Sequence, residues 1–291
     1  MLLIAAAVPA HAQGNGRGGP PITPPGQARK QANPSPSTDA VSTPNESADQ
    51  PGRRLQTFGS WLDTASVNAP GEAWGWVSTA YWRSDSLREV DAPAMGLSVG
   101  VAPRTQVGVS LPYYFITDGS GFTSHGFGAS YLTAKFALTQ TQRVNVAVSP
   151  TVEILSWTSP GIRRVNLVLP VSAEGYAGAV RVYGSTGYFT RGAVFGTGAL
   201  EWPVGHGLTW TTSIAHSYSV VSDPAADALG IPRHRTDAST GLYVTVRPSV
   251  VFFASIGRTF APVNETSGRL SAAGGISINV ARRGTNVPRV P

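Results

Sequence analysis

The chain contains no cysteine, which removes disulfide scaffolds, thiolate metal sites and cysteine nucleophiles from consideration. It is also short of charge: Asp, Glu, Lys and Arg make up 13% of its 291 residues, against about a quarter in an ordinary globular domain. No apolar run reaches the roughly 18 residues of a helical membrane span, so that class is excluded. Disorder throughout is excluded as well, because 41% of the residues are hydrophobic and 9% aromatic. Glycine (33) and proline (23) are abundant instead.

The N-terminal part divides by composition. Leu2-Leu3-Ile4-Ala5-Ala6-Ala7-Val8 is a short apolar stretch, and Ala10-His11-Ala12 presents small residues where signal peptidase reads them, so residues 1–12 are expected to be an export signal. Residues 13–52 are rich in Gly, Pro, Ser, Asn and Gln and have almost no large apolar side chain. Such a segment cannot bury enough surface to offset its ordering entropy, which predicts a disordered tether.

From residue 71 to 281 the pattern changes to twelve runs with period-two alternation: 72–83, 94–102, 106–115, 126–138, 144–155, 165–173, 179–189, 193–202, 208–220, 235–247, 250–260 and 269–281. Val144, Val146, Val148, Val152 and Ile154 share one parity, and Asn145, Ala147, Ser149, Thr151 and Glu153 the other. Val107, Val109, Leu111, Tyr113 and Phe115 stand similarly against Gln106, Gly108, Ser110 and Tyr114. The polar face is small and mostly neutral, whereas a soluble sandwich would carry Lys and Glu there. An all-β, antiparallel, up-and-down transmembrane barrel of about twelve strands, with lipid outside and a polar lumen, accounts for this.

Two further patterns agree. Segments 103–105, 139–143, 174–178, 203–207 and 248–249 are short, whereas 84–93, 116–125, 156–164, 221–234 and 261–268 are longer, and the two kinds alternate apart from the tight Thr190-Arg191-Gly192. Outer-membrane barrels have short periplasmic turns and longer extracellular loops, which puts the N-terminus in the periplasm. Aromatics gather at strand ends: Trp82, Tyr114, Phe115, Trp157, Tyr188, Phe189, Phe195, Tyr218 and Phe260 by the long loops, and Trp74, Phe136, Tyr176, Trp202 and Trp210 by the short turns. They are expected to form the two interfacial belts.

The chain resembles Gram-negative outer-membrane barrels grouped with the meta-pathway phenol-degradation proteins and described as transporters. The resemblance rests on Pro70-Gly71-Glu72 opening the first strand, Tyr81-Trp82-Arg83-Ser84-Asp85 closing it, and Val107-Gly108-Val109-Ser110-Leu111-Pro112-Tyr113 in the third. It covers about residues 70–281 and implies passage of small solutes, apolar or aromatic ones among them. Such barrels commonly finish on a terminal aromatic. Here a tail, 282–291, runs on through Arg282-Arg283, so that assembly signal is either missing or internal.

With Val and Leu toward lipid, the opposite parity carries Glu72, Lys135, Glu153, Arg181, Glu201, Asp237 and Arg247, the expected lumen-facing residues. Facing lipid near the midplane would cost about 2–4 kcal/mol for Arg or Lys. Arg181 and Glu201 lie symmetrically about the tight turn at Arg191 and are expected opposite each other, as an ion pair rigidifying the wall or as a constriction that contacts solute. Mixed signs predict weak ion selectivity. Twelve strands leave a narrow lumen, between the filled interior of about eight and the water-filled one of about sixteen. Residues 53–70, with Phe58, Trp61 and Leu62, either fold back as a partial plug or are an extra strand or the end of the tether.

No catalytic, cofactor or metal site is expected. His216-Ser217, with Asp223 following, are adjacent on a strand and so point to opposite faces, which a nucleophile and its base cannot do. Asp118-Gly119-Ser120-Gly121 lacks the carboxylates of a dedicated calcium loop. Between 71 and 281, fourteen Lys and Arg stand against twelve Asp and Glu, so most of the net +6 belongs to the tails and no basic stripe suits nucleic acid. The partners expected are outer-membrane lipid, lipopolysaccharide and a small solute. The functions this leaves are a narrow channel or transporter, or a non-conducting structural or adhesion barrel whose loops bind a partner.

Overall fold

The computed structural model describes residues 63–85, 87–141, 144–156, 163–190, 192–221, 233–263 and 267–280. The expected signal, tether and tail lie outside the described residues, as do Phe58, Trp61, Leu62, Trp157 and Asp223. Fourteen strand segments follow one another: β1 (Ala73–Arg83), β2 (Leu87–Ala102), β3 (Thr105–Asp118), β4 (Thr123–Phe127), β5 (Ser130–Gln140), β6 (Val144–Val148), β7 (Thr151–Ile154), β8 (Val165–Ala177), β9 (Val180–Phe189), β10 (Ala193–Gly205), β11 (Leu208–Ser219), β12 (His234–Arg247), β13 (Val250–Ala261) and β14 (Leu270–Asn279). Among the described residues there is no helix.

β4 and β5 form one crossing interrupted at Gly128-Ala129, both pairing with β3. β6 and β7 form another, interrupted at Ser149-Pro150, between β5 and β8. Pro150 has no N–H for the ladder, but its carbonyl accepts from the Ala134 N–H at 3.0 Å, so the wall continues across the break. The result is twelve antiparallel crossings, and β1 pairs with β14 over Trp74–Arg83 to close the ring.

Period-two burial separates an inside from an outside. Along β8, Asn166, Val168, Pro170, Ser172 and Glu174 are buried, while Val165, Leu167, Leu169, Val171 and Ala173 are exposed. The same alternation exposes Ile214 on β11 and Ile256 on β13 and buries Ser213 and Ser255 beside them. Small hydroxyl side chains dominate the interior face, among them Ser98, Ser110, Thr133, Ser172, Thr211 and Ser277.

The short turns lie at the end where the chain enters at Asp63 and where β14 finishes; this is the turn end, and the opposite rim is the loop end. At the turn between β10 and β11, Gly207 has φ +70°, and a Cβ there would meet the Thr245 carbonyl oxygen at 2.7 Å, so only glycine fits.

Two expectations about the strands need correction. Segments 84–93 and 116–125 are not long loops: β2 begins at Leu87, with Ser84 and Leu87 bonded to each other, and β3 runs to Asp118 before β4 starts at Thr123. Pro93 lies in β2 at a register shift between Asp91 and Ala94, an irregularity of the kind where a strand tolerates proline. The shift also changes which parity points in, from Glu89 and Asp91 to Ala94 and Ser98.

The belts are likewise only partly aromatic. Phe115, Tyr188, Tyr218 and Phe260 are exposed at the loop end, and Phe136, Tyr176, Trp202 and Trp210 at the turn end, but Trp74, Trp82, Phe189 and Phe195 are buried inside. Strand parity decides this: Trp74 and Trp82 share the face of Ser78 and Ala80.

An outward position in mid-strand should reject charge. Leu169→Arg is expected to lower stability by about 2–4 kcal/mol, measured by urea unfolding of the folded protein in lipid vesicles. A loss under about 0.5 kcal/mol, typical of a water-exposed surface, would contradict the outer face assigned to β8.

Candidate functional site

The interior at the turn end is occupied by the chain's own residues 63–69. Asp63, Thr64, Ala65, Ser66, Val67 and Asn68 are all buried. Their bonds reach around much of the wall. Lys135 on β5 pairs with Asp63 at 2.5 Å and donates to the Thr64 carbonyl at 2.8 Å. Ser149 donates to the other Asp63 oxygen at 2.8 Å, and Ser172 on β8 to the Thr64 carbonyl at 3.1 Å. Ser66 donates to Glu174. On the far side, the Asn68 N–H donates to Gln106 of β3 at 2.8 Å, and its side-chain amide to Ser98 of β2 at 3.1 Å.

Glycine makes the last of these contacts possible. A Cβ on Gly100 would lie 2.0 Å from the Ala69 carbonyl oxygen and 2.6 Å from that of Asn68. The segment therefore crosses directly over β2 there, and the Gly71 N–H donates to the Gly100 carbonyl at 2.8 Å.

A charge network lies next to the segment. Arg181 on β9 stands opposite Glu201 on β10 in register and bonds it at 3.2 Å. Arg181 also pairs with Glu174 of β8, and its guanidinium lies 4.9 Å from the Tyr183 ring centroid. Glu174 takes a further bond from Asn145 at 2.8 Å. All three charged groups are nearly devoid of solvent contact, a setting in which removing one partner strands the others at high cost. Glu72, ahead of β1, accepts from the Trp74 indole at 2.9 Å, from Asn279 at 3.1 Å and from the Ala69 N–H at 3.0 Å, joining the entering chain to the closing strand.

The other candidates lie apart. Glu153 on β7 accepts from the Tyr131 hydroxyl and from Asn166, each at 3.0 Å. Asp237 on β12 is at the loop end, held by Arg235 at 2.8 Å and by Thr259 at 2.6 Å beside a small cavity that Trp82 and Ser271 also line. Arg247 is exposed as the last residue of β12, beyond a register shift at Thr245. On β11, His216 faces outward and bonds Thr236 at 2.8 Å, while Ser217 has the opposite parity.

Sequence reading missed four interior carboxylates. Glu174 fell in a segment taken for a turn, although continuing the even parity of Asn166 to Ser172 reaches it. Glu89 and Asp91 fell in segment 84–93, taken for a long loop, although β2 runs through them. Asp63 had no periodic signal at all, because its segment is not a strand.

No protein-family model matches the sequence, and no curated protein matches it. Solved structures match its fold. An outer membrane channel from Pseudomonas putida F1 aligns with TM-score 0.56 at 12% identity, covering 72% of this chain and 96% of that one. A NanC porin aligns with TM-score 0.52 at 10% identity, covering 70% and 98%. At these identities the likeness is one of fold. The protein has the β-barrel architecture of bacterial outer-membrane channels.

Gly100→Ala should force residues 63–69 off β2. Amide hydrogen exchange at Asn68 and Gly71 is expected to accelerate by at least about tenfold, as for a locally opened segment. Unchanged exchange in a folded variant would contradict the close crossing.

Proposed function

We propose that this chain is an outer-membrane channel that lets small solutes, apolar or aromatic ones among them, cross a narrow lumen, with its N-terminus on the periplasmic side. One observation carries the reading: a closed ring of twelve crossings with apolar side chains outward encloses a face of hydroxyls, charged groups and aromatic rings. Thr133 and Ser185 put hydroxyls, and Tyr131, Phe189 and Phe195 aromatic rings, on the interior face; all five are nearly closed to solvent, so passage requires the interior filling to move. Among the described residues the buried carboxylates, with Glu72, Glu89, Asp91 and Glu153 beside those paired to Lys135 and Arg181, outnumber the buried cations, so the path disfavours anionic solutes.

In this reading residues 63–69 act as a partial plug. Their ties to β2, β3, β5 and β8 are hydrogen bonds and the Lys135–Asp63 ion pair and no part of the strand ladder, so a shift of the segment widens the turn-end mouth without breaking the wall. Glu72, Lys135, Arg181 and Glu201 then serve as the frame of that mouth, and Glu153 and Asp237 line the path beyond it. Nothing in this role requires covalent chemistry. A non-conducting structural or adhesion barrel is the second reading. It is favoured by the tight cluster of Trp74, Tyr243, Val251 and Phe253 inside the turn end.

Single-channel recording in planar bilayers separates the two. The full-length protein is expected to give small, discrete conductance steps. Asp63→Ala combined with Ser66→Ala, which removes the segment's side-chain ties to Lys135, Ser149 and Glu174, is expected to enlarge them by about twofold or more, as for a widened constriction. Folded protein that conducts in neither form would overturn the channel reading in favour of the second, and equal steps from both forms would overturn the plug.

A further inference from the structure

The outer wall at the loop end carries an arginine row that the channel does not use. Arg83 at the end of β1 stands directly opposite Arg88 on β2. On its other side Arg83 faces Leu270 of β14. One step beyond the Gly257–Ser271 pair, Arg258 of β13 stands beside Leu270. All three arginines are exposed and point outward, since the adjoining Trp82, Glu89 and Thr259 are buried inside.

The row lies where the apolar exterior gives way to the loops. Toward the barrel middle the outward side chains are Val77 and Ile256, both about half exposed or more. Toward the loops lie Phe260, whose ring the Arg258 guanidinium approaches at 5.5 Å, and the Asp85–Arg269 pair. An aromatic and a cation side by side at the edge of an apolar band mark the depth of lipid headgroups.

Among the described residues, the one carboxylate outside the barrel beside this row, Asp85, offsets only part of its positive charge. Arg269 holds Asp85 at two points, 3.0 Å and 2.6 Å. That bond, against desolvation, and then the charges of Arg269 and Arg83 keep the Asp85 carboxyl below the usual carboxylate range. Among the described residues of β1, β2, β13 and β14, the remaining carboxylates, Glu89 and Asp91, point inward. Like charges directly opposite on neighbouring strands repel. A phosphate between two guanidinium forks replaces that repulsion with paired, charge-assisted hydrogen bonds.

We propose that Arg83, Arg88 and Arg258 form a binding site for the phosphate groups of lipopolysaccharide on the outward face of the barrel. The site rests on the outer-membrane reading above, with the loop end outside. It is independent of conduction, so a protein that binds the lipid and never conducts contradicts the channel reading alone.

Binding is measured with the full-length protein folded in detergent, using lipid A that carries both phosphates as the probe, with dephosphorylated lipid A and phosphatidylglycerol as competitors. The bisphosphorylated lipid is expected to bind, more weakly as salt rises, and neither competitor to displace it. Arg83→Gln, Arg88→Gln and Arg258→Gln together are expected to weaken binding by at least about tenfold. Arg104→Gln with Arg247→Gln, on the opposite rim, is expected to leave it unchanged. Wild-type affinity in the triple variant, an equal loss in the control, or displacement by phosphatidylglycerol as an equal would each overturn the site. If the triple variant does not show the heat-dependent gel mobility of a folded barrel, the competition with unaltered protein still decides, together with Arg88→Gln alone.

Discussion

A backbone in hydrocarbon has no water to satisfy its N–H and C=O groups, so a sheet that crosses a membrane must have no edge. The pairing of β1 with β14 meets that constraint here, and much else depends on it. Closure fixes an inside and an outside for every strand, and alternation then assigns each side chain to one of them. The low charge of the strands follows, as do the small hydroxyl residues of a confined interior. The prolines of the wall stand beside irregularities of the ladder: Pro93 and Pro112 at the register shift of β2, Pro150 and Pro170 at the break between β6 and β7, and Pro203 at the register shift that ends β10. At that break the carbonyl of Pro150 keeps the wall paired by accepting from Ala134.

Inside the ring the constraint is electrostatic. Lys135 and Arg181 have almost no solvent, and an uncompensated charge in such a place is costly. The wall supplies Glu174 and Glu201 for Arg181, whereas Lys135 takes its carboxylate from Asp63 of the entering segment. Residues 63–69 are therefore part of the interior's charge balance as well as its filling. Gly100 is the backbone counterpart of that fit, since any side chain there would collide with the segment.

Much of the barrel was legible in the sequence because period-two alternation is local and repeated in every strand. The twelve crossings and the apolar parity of 144–155 follow from residue types alone. What was not legible depended on contacts between elements. Segment 84–93, taken for a long loop, is largely strand, and the register shift at Pro93 reverses the parity beyond it, hiding Glu89 and Asp91. Aromatics at strand ends fit a belt and an interior equally well until register is known, and Trp74 and Trp82 turn inward. The Arg181–Glu201 pairing could be written down from the symmetry of one tight turn, whereas the third member, Glu174, lies across a different strand pair. Asp63 belongs to a segment without periodicity, so its meeting with Lys135 exists only in three dimensions.

The central claim is that one parity of each strand meets lipid and the other an enclosed polar interior. The absence of native cysteine makes a direct measurement simple: single spin labels at Leu167→Cys, Val168→Cys, Leu169→Cys, Val171→Cys and Ser172→Cys in protein folded into vesicles, read for collision with dissolved oxygen. Oxygen concentrates in the hydrocarbon, so accessibility should be high at 167, 169 and 171 and low at 168 and 172. Uniform accessibility along β8, or the opposite phase, would contradict the account.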